Sequence, residues 1–92
     1  DEKARNKFLT EEARPLLEKV IAGFSMLDDF SSESIEILFK KIVEEEGIKL
    51  GKLAQPVRVA LTGTTVSPGI YDVVLLLGKE ETIKRLGNCL KT

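Results

Sequence analysis

Histidine is missing from this 92-residue sequence, cysteine occurs once, and no apolar run approaches the ~20 residues a helix needs to cross a bilayer. Cys89 alone cannot form an internal disulfide, and without histidine a zinc site has too few ligands. Its plainest role is that of a small residue near the C-terminal end of the chain. Paired cysteines, a phosphate-binding G-x-x-x-x-G-K-[ST] loop and a nucleophile elbow are also lacking. Ser67 has no histidine to activate it, and Glu44, Glu45 and Glu46 would project about 100° apart on a helix, so they do not converge on one ion. These absences imply a chain that is catalytically inert by itself, with no metal and no cofactor of its own. The first residues, DEKARNKF, alternate acid and base and do not resemble a secretory signal, which leads us to expect a cytoplasmic protein away from membranes.

What is present suits one soluble domain over residues 1–92: 42% of residues are hydrophobic and 32% charged. A chain of this length buries roughly 60–65% of its unfolded surface. Fourteen basic residues against fifteen acidic ones give a net charge of −1, unlike a free-standing nucleic-acid binder. The charge is nevertheless segregated. Acids gather at Glu11–Glu12, Asp28–Asp29, Glu44–Glu46 and Glu80–Glu81, whereas Lys49 to Asp72 holds Lys49, Lys52 and Arg58 and a single acid at its end. A module that reads bases while a larger protein grips the phosphates tolerates such neutrality.

Apolar periodicity predicts an all-α fold, a compact bundle or cage of about five short helices. Ala13, Leu16, Leu17, Val20, Ile21 and Phe24 form one stripe, with Thr10 as a candidate N-cap and Pro15 implying either a kink or a later start. Ile35, Leu38, Phe39, Ile42 and Val43 form the next, between the caps Ser31 and Ser32 and a stop at Gly47. On its outer face Glu36 and Lys40 stand four apart, as an ion pair requires. A third helix turns Leu50, Leu53, Ala54, Val57 and Leu61 inward and Lys49, Lys52, Gln55, Arg58 and Thr62 outward. Pro56 implies that this helix is kinked or begins near Gln55. A fourth runs from Pro68 through Ile70, Val73, Val74 and Leu77 to Gly78, its proline start and glycine stop favouring helix over strand for VVLLL. A last helix carries Ile83, Leu86 and Leu90.

Between the third and fourth helices lies TGTTVSPG, which reads as a presented corner: Ser67 as N-cap, Pro68 at the first helical position, and backbone N–H groups aimed at whatever approaches. Arg58 can offer a guanidinium fork to a base edge or stack on its plane, and Gln55 both donor and acceptor. Pro68 and Ile70 supply apolar surface for an unstacked base. Each has a plainer use: Arg58 could pair with Asp72, Ser67 could simply cap, and Ile70 falls on the core stripe unless it is half exposed in the first turn. Tyr71 reads as an amphipathic boundary residue.

The run KLAQPVRVALTGTTVSPGIYDVVLLLGKEETIKRL, preceded by KFLTEEARPLLEKV and SSESIEILFKKIVEEEGIKLGKL, resembles the C-terminal anticodon-binding domain of bacterial glutamyl-tRNA synthetases over nearly the whole chain. It departs at Phe30, where a tryptophan or bulkier aromatic is expected, and at Ser67, where some relatives carry threonine. The resemblance implies a domain that splays out the anticodon of glutamate tRNA, with Gln55, Arg58, Ser67, Pro68 and Ile70 as readers and Thr65 as a lesser one. Lys40, Lys41, Lys49 and Lys52 are possible phosphate contacts. It further implies a monomeric glutamate–tRNA ligase whose other domains hold ATP and Mg2+. The second reading is an all-helical protein–protein interaction module with no RNA role, to which the near-zero net charge is suited.

Overall fold

A computed structural model describes residues 2–64 and 68–91, and these form six helices with no strand among them. They are α1 (Glu2–Phe8), α2 (Arg14–Met26), α3 (Ser32–Glu46), α4 (Leu50–Thr62), α5 (Ile70–Leu77) and α6 (Lys79–Leu90). The all-α expectation is met, and the last five helices are those the periodicity indicates. The seven-residue α1 is additional: EKARNKF has no apolar stripe to announce it, and among the helices it packs against α4 alone.

The clearest local logic belongs to α3. Ser31, with extended backbone, accepts from the Ser34 N–H (3.2 Å), and Ser34 Oγ accepts from the Ser31 N–H (2.9 Å), a reciprocal capping box. At the other end Gly47 takes the left-handed conformation (φ 64°), which lets its N–H reach Glu44 O (3.3 Å) and the Ile48 N–H reach Val43 O (3.1 Å). On α2 the N-cap is Ala13 and not Thr10, whose carbonyl instead accepts from the Ala13 N–H (3.0 Å) in the preceding turn. The later start places Pro15 in the first helical turn, where its missing donor has no helical partner to lose. The Pro56 alternatives also resolve, because α4 starts at Leu50 and continues through the proline.

One core runs through α2–α6, with Leu17, Val20, Phe24, Ile35, Phe39, Leu53, Val57, Val74 and Leu86 almost wholly buried. Leu50, expected to face inward, is 40% exposed, since it opens α4 ahead of the stripe. Aromatic rings cross the core in series: Phe30 meets Phe24 edge-on at 5.4 Å, Phe24 stacks on Phe39 at 6.1 Å, and Phe39 meets Tyr71 edge-on at 5.6 Å. Three cations then tie helix ends together across the chain. Arg14 donates to Leu90 O, Lys79 Nζ to Leu27 O (2.8 Å) and Arg85 Nη1 to Leu61 O (2.8 Å), each at a helix C-terminus where the backbone dipole favours positive charge.

Candidate nucleic-acid interface

Helix α4 presents Lys49, Lys52, Gln55, Arg58 and Thr62 on the side away from the buried Leu53, Val57 and Leu61. Arg58 Nη1 donates to Gln55 Oε1 at 3.2 Å, so the two residues expected to read bases already form a unit across one helical turn. The alternative pairing of Arg58 with Asp72 is not among the ion pairs of the described residues. Arg58 Nε is buried without a hydrogen-bond partner, leaving a donor of the fork unused beside the engaged one.

The corner springs from the end of α4. Gly63 is left-handed (φ 81°) and returns its N–H to Val59 O (2.8 Å). The Thr62 hydroxyl lies within reach of Arg58 O (2.8 Å) and Thr64 O (2.9 Å) and accepts from the Thr64 N–H (3.3 Å). The start of the loop is therefore braced against the turn that carries Arg58. Pro68 and Gly69 are exposed on the far side of the loop. Ser67, like Thr65, lies outside the described residues. The N-cap of α5 is Gly69 (φ −50°, ψ 144°), whose carbonyl accepts from the Val73 N–H at 3.1 Å. Helix α5 thus begins at Ile70, two residues later than expected from Pro68. Glycine is poor inside a helix and acceptable at its cap, which outweighs the preference of proline for the first helical position.

Among the described residues no side chain caps α5, whose first N–H groups have no acceptor within the helix. Asp72 in the same turn disfavours a phosphate there, so the end suits the uncharged carbonyl edge of a base. Ile70 is 5% exposed and belongs to the core, not half exposed as its place in the first turn had allowed. Its side chain stays inside, and what it presents outward is backbone. Tyr71 sits at the boundary as expected, yet its hydroxyl is buried with no partner, and desolvation pushes the phenol pKa up.

The four lysines divide. Lys40 Nζ is bonded to Glu36 at 2.9 Å, as the four-residue spacing indicates, and the carboxylate raises the lysine pKa. Lys41, Lys49 and Lys52 are exposed. Sequence reasoning did not find the groove between α1 and α4, which brings Lys7 and Phe8 beside Lys52 and Pro56. The signal was faint because one of its walls is the unannounced α1.

The described residues form a helical cage that exposes Pro68 and Gly69 and pairs Arg58 with Gln55 on the outer side of α4, an arrangement that can offer donors and apolar surface to an unpaired base. Comparison with known proteins makes the class specific: residues 1–90 match a family described as anticodon binding domain, and the chain belongs to that family. It is 56% identical over 90 residues to the glutamate–tRNA ligase of Geotalea uraniireducens, covering 98% of this chain and 19% of that protein. It is 51% identical over 84 residues to that of Thermodesulfovibrio yellowstonii, covering 91% of this chain and 18% of that protein. Among solved structures, a glutamate tRNA ligase from Elizabethkingia meningosepticum crystallised with its amino acid superposes with a TM-score of 0.92 at 34% identity, covering all of this chain and 18% of that one. The chain thus spans about a fifth of the length of the relatives it matches. The resemblance seen in the sequence is borne out, and the interaction-module reading is not favoured.

Proposed function

We propose that this chain reads the anticodon of glutamate tRNA as a single C-terminal domain of a monomeric, cytoplasmic glutamate–tRNA ligase. The observation that supports it is the Arg58–Gln55 pair on the outer side of α4, in the turn against which Thr62 braces the start of the loop, together with the exposure of Pro68 and Gly69 where the loop ends. Unpaired bases are read by such donors and by flat apolar surfaces, and a guanidinium fork addresses a base edge while the proline ring supports its plane. Ser67 and the backbone N–H of Ile70 complete the reading group in this account, with Thr65 peripheral. Lys49 and Lys52 would contact phosphate, and Lys41 and Lys40 less directly.

The ligase joins glutamate to its tRNA with ATP in domains outside these residues. Among the described residues no three histidine, cysteine, aspartate or glutamate side chains are grouped as a metal site requires. No described helix is long and apolar enough to cross a membrane.

Amide chemical-shift mapping with an RNA stem-loop carrying a glutamate anticodon tests the assignment. Shifts are expected to cluster at Gln55, Arg58, Gly69 and Ile70. Equal shifts from a stem-loop with an unrelated anticodon, or shifts concentrated on α2 and α3, would refute it.

A further inference from the structure

Helix α4 carries no acidic residue, so the strong hydrogen-bond acceptors among its side chains are the Gln55 amide oxygen and the Thr62 hydroxyl oxygen. Both are engaged within the protein. A guanidinium has donors and no acceptor, so the half-buried amide of Gln55 turns its oxygen to Arg58 Nη1, at 3.2 Å. The Thr62 oxygen accepts from the Thr64 N–H at 3.3 Å, while its own proton is within reach of Arg58 O and Thr64 O. Arg58 Nε is buried, which leaves to a ligand the terminal nitrogens of the fork and the amino group of Gln55. Gln55, able to donate or accept as a free side chain, is thereby made a donor. Lys49 and Lys52, exposed on the same side of the helix, add only ammonium donors.

Three residues apart on one helical face, Gln55 and Arg58 can address the same ligand, and a base edge that fits two neighbouring donors has two neighbouring acceptors. Cytosine has them in N3 and the adjacent O2 carbonyl. Uracil sets a ring N–H between its carbonyls, and adenine sets its amino group beside both N1 and N7, so each opposes the pair with a donor of its own. Donors left facing one another without acceptors disfavour both bases. Guanine has a like pair in O6 and N7, and is absent from an anticodon complementary to the glutamate codons. We infer that the Gln55–Arg58 pair is a donor-only reader that selects a cytosine of the anticodon through its N3 and O2 acceptors. The inference rests on the anticodon-reading assignment and adds to it which base, and which edge of that base, α4 recognises.

The test uses the whole 92-residue chain and fluorescein-labelled RNA stem-loops with the glutamate anticodon CUC, read by anisotropy, with circular dichroism confirming helicity for every variant. Each cytidine of the anticodon is replaced in turn. At one of these positions 3-deazacytidine, which lacks the N3 acceptor, and uridine are each expected to weaken binding about tenfold, within the range for a good bidentate base contact. Zebularine, which is cytidine without its amino group, should bind there as cytidine does. Gln55→Glu keeps an oxygen for Arg58 and turns a second acceptor outward in place of the amino group, so the preference for cytidine over uridine at that position should disappear. Repulsion between the new carboxylate and the RNA cancels in that ratio. The inference is overturned if Arg58→Ala weakens binding while 3-deazacytidine is tolerated at both positions, if loss of the amino group is what weakens binding, or if Gln55→Glu retains the preference. If Arg58→Ala has no effect and a stem-loop with an unrelated anticodon binds as tightly, the reading assignment itself fails and the donor-only reader falls with it.

Discussion

Helix α3 and the α4–α5 corner are neighbours in one core, yet they treat their backbone and polar groups in opposite ways. In α3 the first turn is closed by the Ser31–Ser34 box, the last by Gly47 and Ile48, and the buried face by Ile35, Phe39 and Ile42. At the corner α5 starts without a side-chain cap, Arg58 Nε and Tyr71 Oη are buried without partners, and proline and glycine face outward. Buried donors left unpaired cost on the order of 1–3 kcal/mol each. A fold retains them where something else depends on them, and here α2 and α3 supply the stability that the corner gives up.

The sharpest way to break the comparison is to injure the supporting half. Phe24→Ala removes the ring that touches both Phe30 and Phe39 and should lower stability by about 3–5 kcal/mol in denaturant titration. RNA binding would then fall with the folded fraction, without change in anticodon preference. Arg58→Ala should do the reverse: the chain stays folded, with stability at or above the parent's because an unpaired buried donor is removed, while affinity for the glutamate stem-loop falls by roughly 1–3 kcal/mol in a binding titration. If Arg58→Ala unfolds the chain instead, the guanidinium is structural and the contrast dissolves.

Smaller effects sharpen it. Gly47→Ala places a Cβ at φ 64° with no atom within 4 Å of it, so the expected loss of about 1 kcal/mol measures backbone conformation alone. The thermal midpoint reads it. Tyr71 gives the weakest signal. Burial raises its pKa above the ordinary 10.0, so the neutral phenol is favoured in the folded chain. That contribution is intact below the unfolded value and is lost as pH rises through the folded one. As the sole tyrosine, it should titrate by ultraviolet absorbance at higher pH in the folded chain than in denaturant. Coincident curves would show that the hydroxyl is solvated.

The same contrast explains what could be read in advance. Helix α3 was legible end to end because serine, glycine and a complete apolar stripe agree. The corner was legible as a corner, but its helix starts at Ile70 because Gly69 takes the cap that Pro68 suggested for Ser67. Periodicity put Ile70 on the core stripe, and that is where it lies. For Arg58, spacing gave the outward face but not the partner: the sequence offered Asp72, whereas the guanidinium donates to Gln55 one turn away. Helix α1 escaped because a charge-rich segment that leans on a single neighbour carries no repeating apolar signal.

Arg85 gives α6 a part in work it does not itself perform. The guanidinium grips Leu61 O, one residue before the threonine from which the loop departs, while its Nε is steadied by Glu81 at 2.7 Å. The angle at which the corner leaves the cage is thereby anchored from the far end of the chain. Loss of the Arg85 side chain should therefore alter the direction in which the chain leaves α4 while the buried Thr82 and Leu86 of the same helix keep the fold.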